Sequence, residues 1–307
     1  MTALVHLDTD IGGDPDDGCA LAMLLGSDVE LAGVTTTVDP HGQRAGYAAH
    51  LLRLAGRAGV PVAAGAGVTV TAGDIVEPLP QLWPPGIEAR PGSLRAAHDL
   101  LIANLERAAT IVAVGPLTTL ATLEQDRPGA LRGARVVVMG GWAGPLPGDL
   151  PAYGPGDDWN VAVDPQAALV VATSGADITW VTLATTLRTS LRAIHLPRLR
   201  ATGQLGALLA QQAVDYAELS GKAALGRSHA GLPDDLVLSL HDPLACAVAL
   251  EWAGVTVRRR GLAPVLTDGG LVLRSDPTGV AMGVVEAVDG SAFTDAWLAS
   301  VESADRG

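Results

Sequence analysis

Lysine is almost absent: among 307 residues there is one, Lys222, and 33 acids face 20 lysines and arginines, for a formal net charge of −13. So acidic a chain excludes nucleic-acid polymers and anionic membranes as partners, since both need a basic face. Small neutral ligands stay open. Cysteine is nearly as scarce: Cys19 and Cys246, both in apolar surroundings, make no disulfide framework and suit a reducing cytosol. No apolar run approaches the roughly 18–20 residues that span a membrane, and no basic stretch followed by an apolar one precedes Asp8. The expectation is a soluble, cytoplasmic protein. Aromatic side chains are few, with one Phe and three Tyr against six Trp. Indole is therefore over-represented, and Trp83, Trp142 and Trp159 all fall in Pro/Gly-rich surroundings, where a ring serves either as core or as a surface for a flat ligand.

What the chain has is a core and an acid cluster. Its 48 % hydrophobic content and 17 % charge suffice to bury a large interior. Short β-branched runs alternate with Ala/Leu-rich helical stretches, the pattern of a parallel α/β sheet. The spacing predicts strands near 4–9, 31–37, 60–63, 110–114, 134–139 and 177–182. Helices are expected near 17–26, 42–57, 95–107, 117–125, 164–174, 204–220, 241–252 and 292–303. Short strands with a hairpin at Asp268-Gly269-Gly270 should fill about 255–288. The fold class is α/β: one domain over 1–307, an open and mostly parallel sheet flanked by helices. Pro78–Gly92 and Gly140–Gly156 read as long loops, which inside a compact fold are usually functional.

Asp8, Asp10, Asp14, Asp16 and Asp17 put five carboxylates into ten residues, directly between the first strand and the first helix. Five mutually repelling acids at the end of a buried strand are costly unless a cation neutralises them. Oxygen-only ligands point to a hard ion, Ca²⁺ or Mg²⁺, rather than zinc. One or two acids would serve as helix caps, but five are too many. An EF-hand loop is excluded, because its twelfth position would be Cys19 and no helix precedes Asp8. Asp14, with Pro15 after it, reads equally as a turn residue facing solvent.

Ligands of open parallel sheets sit beyond the carboxyl ends of the strands. Asp10, Asp39, Val114 and Met139 follow four such ends. His241-Asp242-Pro243 opens a helix; by itself it is an ordinary first-turn arrangement, yet Asp242 would also complete an oxygen shell and His241 would be a proton donor. In Asp157-Asp158-Trp159-Asn160, Asp158 and Asn160 lie two apart and on extended chain would share a face, suiting vicinal hydroxyls.

Taken in order, Leu7-Asp8-Thr9-Asp10-Ile11-Gly12 with Asp16-Asp17, Val60-Pro61-Val62-Ala63-Ala64-Gly65, Val114-Gly115-Pro116-Leu117-Thr118, Val138-Met139-Gly140-Gly141, Trp159-Asn160-Val161 and His241-Asp242-Pro243 resemble the inosine–uridine-preferring nucleoside hydrolase family over nearly the whole chain. The resemblance implies an N-ribohydrolase that cleaves a ribonucleoside to base and ribose, with a role in nucleobase salvage. It implies Ca²⁺ held by Asp10, Asp17, Asp242 and the Val114 carbonyl, with Asp10 as general base on a calcium-bound water. Asp16, Asn160 and Asp158 would bind the ribose hydroxyls, Met139 would lie against the sugar, and His241 would face the base. Trp83 and Asp39 complete the substrate-side candidates. Family members tend to be homodimers or homotetramers.

The chain departs from that pattern in carrying two extra residues between Gly12 and Asp16. It also has Val38-Asp39 where Gly-Asn is common, Asp158 where Glu is usual, and Pro80-Gln81-Leu82-Trp83-Pro84-Pro85 in place of a His-Gly loop. These changes leave the substrate open, a non-standard nucleoside included. Two other readings differ in class. A haloacid-dehalogenase-like phosphatase shares Asp-x-Asp after strand one but needs a downstream lysine with a second acidic pair. A calcium-dependent nucleoside or sugar binder would keep the ligands without turnover.

Overall fold

In the computed structural model, residues 2–71 and 81–306 are described; Pro78 to Pro80 of the first expected loop lie outside them. Strands β1 (Ala3–Thr9), β2 (Val29–Thr36), β3 (Val62–Ala64), β4 (Thr110–Ala113), β5 (Arg135–Met139) and β6 (Asp177–Val181) fall where the apolar runs place them. They pair in parallel in the order β3-β2-β1-β4-β5-β6. Both faces of such strands are covered, so they read as continuous aliphatic runs such as Val136, Val137 and Val138, all buried.

The same sheet continues past β6 through β11 (Val280–Val288), β9 (Val255–Thr267) and β10 (Gly270–Ser275) to nine strands. β11 runs parallel to β6 and antiparallel to β9. Asp268-Gly269 is the two-residue turn of the β9–β10 hairpin, since Thr267 pairs with Gly270. A separate antiparallel pair, β7 (Ser190–Arg192) with β8 (Leu236–Ser239), escaped the sequence reading because three or four residues are too short to show a period.

Helices α1 (Asp16–Leu25), α2 (Gln43–Leu54), α3 (Leu94–Glu106) and α4 (Thr118–Asp126) link the first strands. They are followed by α5 (Trp159–Ala162), α6 (Pro165–Thr173), α7 (Leu183–Thr186) and α8 (Leu196–Arg200). The last four are α9 (Gln204–Ser220), α10 (Lys222–Ser228), α11 (His241–Ala249) and α12 (Gly290–Arg306). One apolar cluster joins α1, α2, α9, α11 and α12 on one face of the sheet, and a second joins α3, α4 and α6 on the other.

Every residue of α1 is buried, as its all-round apolar sequence after Asp17 demands. It is pinned to α12 by the Trp297 indole N–H, which donates to the Cys19 carbonyl at 3.0 Å. Gly26 is obligatory at that crossing, because a Cβ there would lie 1.8 Å from the Ser300 carbonyl oxygen. Cys19 and Cys246 are both free and buried, apolar fillers as expected.

The strand order carries the functional consequence. The chain winds from β1 outward through β2 and β3, then returns to β4 on the other side of β1 and winds the opposite way. The crevice between the carboxyl ends of β1 and β4 is a topological switch point, where open α/β sheets bind ligands. Asp8 sits in register with Ala113 there, one step before Val114. Among the described residues, no helix is long and apolar enough to cross a membrane.

Candidate active site

Asp10 follows the end of β1, Val114 the end of β4, and Met139 ends β5; all three open on one cavity of about 340 Å³. The first turns of α1 and α11 bring Asp16, Asp17, His241 and Asp242 to the same space, and the Gly140–Gly156 loop returns Asp158, Trp159 and Asn160 to its wall. Asp16 and Asp242, 226 residues apart in sequence, meet directly: the Asp242 N–H donates to Asp16 Oδ2 at 3.1 Å. Oxygens of Asp16, Asp17 and Asp242 lie within 4.8 Å of one another, all buried. The tightest trio thus includes Asp16, which the resemblance assigned to ribose. Asp10 is close enough to raise Asp17 and Asp242 electrostatically.

The electrostatics of this cluster are severe. Burial, then the neighbouring acids, push Asp16, Asp17 and Asp242 far above the usual carboxylate range. Burial also raises Asp10, opposed by Arg44 and by the Trp159 indole N–H, which donates to Asp10 Oδ2 at 3.1 Å. Arg44 reaches in from α2 to donate to the carbonyls of Asp10 and Ile11, clamping the loop's backbone. Thr9 Oγ1 donates to Asp17 Oδ1.

Behind the cluster, burial pushes Asp8 up to about 7, with the Thr35 hydroxyl opposing. Its Oδ1 accepts from Thr35 Oγ1 at 2.5 Å, and its Oδ2 has no partner. Asp158 is also raised to about 7 by burial, which the nearby amides of Gly141, Val161 and Asn160 partly offset; neither of its oxygens is formally hydrogen-bonded. So many buried, under-partnered carboxylate oxygens fit a hard divalent cation, whose charge would hold them ionised.

Asn160 and Asp158 do share the cavity, though not on extended chain. Asp158 is the last residue before α5 and Asn160 lies in its first turn, so helix geometry brings them together. The Asn160 side-chain N–H donates to the carbonyls of Val114 at 2.9 Å and Met139 at 3.2 Å. The Val114 oxygen retains a second lone pair for another ligand. His241 Nδ1 lies 2.7 Å from Thr186 Oγ1; burial pushes this imidazole down to about 3, and the charge of Lys222 adds to the shift.

Two expected substrate contacts fall outside the lining of this cavity. Trp83 does not line the cavity: its ring packs against the acid loop, where a Cβ on Gly12 would lie 2.4 Å from it, and its centroid is 6.1 Å from that of the Tyr47 ring. Asp39 is a helix cap, its oxygens accepting from the backbone N–H of Arg44 and Ala45 and from Thr36 Oγ1. Asp39→Ala is accordingly expected to cost ~1–2 kcal/mol of stability in urea unfolding, with KM for substrate unmoved. Trp142 does not line this cavity either; its carbonyl accepts from Leu273 N at 2.7 Å.

Missed by sequence reasoning were Tyr153, Tyr216 and Lys222, which line the cavity, and Arg44, which holds the loop. Asp14, left open above, also lines the cavity. Lys222 and the Tyr216 hydroxyl oppose the rise that burial gives its carboxyl.

A family model described as inosine-uridine preferring nucleoside hydrolase matches residues 5–295. The pyrimidine-specific ribonucleoside hydrolase RihA of Enterobacter sp. (strain 638) is 28 % identical over 277 residues, 83 % of this chain and 84 % of that protein. Among solved structures, a plant nucleoside hydrolase, the PpNRh1 enzyme, superimposes with a TM-score of 0.78 at 22 % identity, covering 98 % of this chain and 99 % of that one. A purine-preferring ribonucleoside hydrolase from Gardnerella vaginalis gives 0.77 at 22 % identity, covering 99 % of each.

Proposed function

Since the chain belongs to the inosine–uridine-preferring nucleoside hydrolase family, we propose that it hydrolyses the N-glycosidic bond of ribonucleosides, as one catalytic domain, at the β1/β4 crevice. The observation that carries this reading is the convergence of Asp10, Asp16, Asp17 and Asp242 on one buried cavity. Cleavage passes through an oxocarbenium-like sugar, and carboxylates fixed around the ring stabilise that charge as it develops.

Asp10, Asp17, Asp242 and the Val114 carbonyl are the proposed holders of a Ca²⁺ ion, with Asp16 beside them. When bound, such an ion supplies Lewis acidity toward water and an anchor for vicinal hydroxyls. Asp10, its other oxygen steadied by Trp159, takes the proton of the attacking water. Asp16, Asn160 and Asp158 accept from or donate to the ribose hydroxyls, and Met139 shields the sugar from solvent. His241, its Nδ1 engaged by Thr186, turns the rest of its ring toward the base. Residence in the cytosol and assembly as a homodimer or homotetramer belong to the same proposal.

The test is a reducing-sugar assay across purine, pyrimidine and non-standard ribonucleosides, with and without a chelator. Ribose release that chelation abolishes and Ca²⁺ restores is expected. Tight nucleoside binding with no ribose released would replace the enzyme by a binder.

A further inference from the structure

Among the carboxylates that line the cavity stands one ammonium, that of Lys222. The carboxylates crowd the switch point, where a ribose would sit. The wall also carries Tyr153, Leu187, Tyr216, Leu225 and Lys222. Among the described residues lining the cavity, Lys222 is the one lysine or arginine, and it is the sole lysine of the chain.

The backbone builds this placement. α9 stops at Gly221, whose φ of 68° is the left-handed geometry that favours glycine at a helix end. Lys222 is the next residue, opening α10. Its Nζ stands 5.2 Å from the centroid of the Tyr216 ring, which fixes a flexible ammonium by a cation–π contact. Asp14, one of the acids of the loop with two extra residues, lines the cavity beside them, its carboxyl acted on by the Lys222 charge and the Tyr216 hydroxyl.

Breaking a C1′–N bond separates charge, positive on the sugar and negative on the departing base. A cavity that carries an ammonium as well as carboxylates can meet both charges of that separation, more so in the transition state than in the neutral substrate. We propose that Lys222 faces the leaving base and stabilises the negative charge that builds on its nitrogen, so that the enzyme favours neutral nucleosides whose bases depart as anions. This rests on the ribohydrolase reading and adds a leaving-group residue to it. The electron pair of the broken bond goes to the base nitrogen, and water oxygen forms the new bond to C1′. The water's proton passes to Asp10 and then, through solvent, to the released base.

The test compares Lys222→Met and Lys222→Arg with wild type on two probes: the neutral ribonucleoside turned over best, and a pyridinium riboside. The pyridinium base is cationic before cleavage and leaves neutral, so a facing ammonium repels it. Lys222→Met is expected to lower kcat on the neutral nucleoside by ~10²-fold, and Lys222→Arg to recover most of that loss. On the pyridinium riboside, kcat/KM of Lys222→Met should rise about twofold to fivefold, the size of one screened like charge removed. Equal losses on both probes, or no loss on the neutral one, would overturn the assignment and leave the ribohydrolase reading standing. Wild-type enzyme releasing ribose from no riboside at all would overturn both.

Discussion

Asp10→Asn should release ribose ~10³- to 10⁴-fold more slowly than wild type, at the upper end of what a positioned general base contributes. The amide keeps the size of the carboxylate and can still accept from the Trp159 N–H, which lies 3.1 Å from Oδ2. The loop backbone remains clamped, because Arg44 donates to the main-chain carbonyls of Asp10 and Ile11. Folding is therefore expected to survive, and the loss to fall on kcat more than on KM, since the proton is taken only as water attacks. Initial rates of ribose release across a substrate titration make the comparison. Unchanged turnover would remove Asp10 from the chemistry.

The six parallel strands were legible because strands buried on both faces have no polar alternation to hide them: Val136-Val137-Val138 and Ile111-Val112-Ala113 can only be interior. The acid loop was legible for the opposite reason, five charges where a buried strand ends. Its partner across the cavity was not. Nothing local distinguishes His241-Asp242-Pro243 from an ordinary helix start, and only the winding of the sheet brings Asp242 to Asp16; ordered motif resemblance supplied that link.

The two candidates that fall outside the cavity lining share a cause. Asp39 follows a strand and Trp83 sits among prolines, so both have the local signature of a site residue. Tertiary contacts give the first to the N-terminus of α2 and the second to a place against Gly12. Lys222 and Tyr216 lie at the α9–α10 corner, far from any motif. The one available signal was compositional, a single lysine in an acidic chain.

The second large effect concerns the metal-free protein. Asp8 and Asp158 are held at about 7 against an ordinary value of 3.8, and Asp16, Asp17 and Asp242 are also raised well above it. The folded chain therefore binds more protons than the unfolded one between those values. The contribution of these groups is present in full below about 3.8 and is lost as pH rises through about 7. A bound divalent cation reverses the loss by favouring the ionised carboxylates, and protons compete with it at low pH.

Calcium at a hundred times its Kd would add about 2.7 kcal/mol, a Tm rise of at least ~4 °C for a chain of this size. The rise should be larger at pH 8 than at pH 5.5. The decisive measurement is the melting temperature of chelator-stripped protein at pH 8, with and without Ca²⁺, for wild type and for Asp242→Asn. A clear upward shift in wild type that Asp242→Asn abolishes is the expected result. No shift in wild type, or the same shift in both, would contradict a single ion shared by acids from the two ends of the chain.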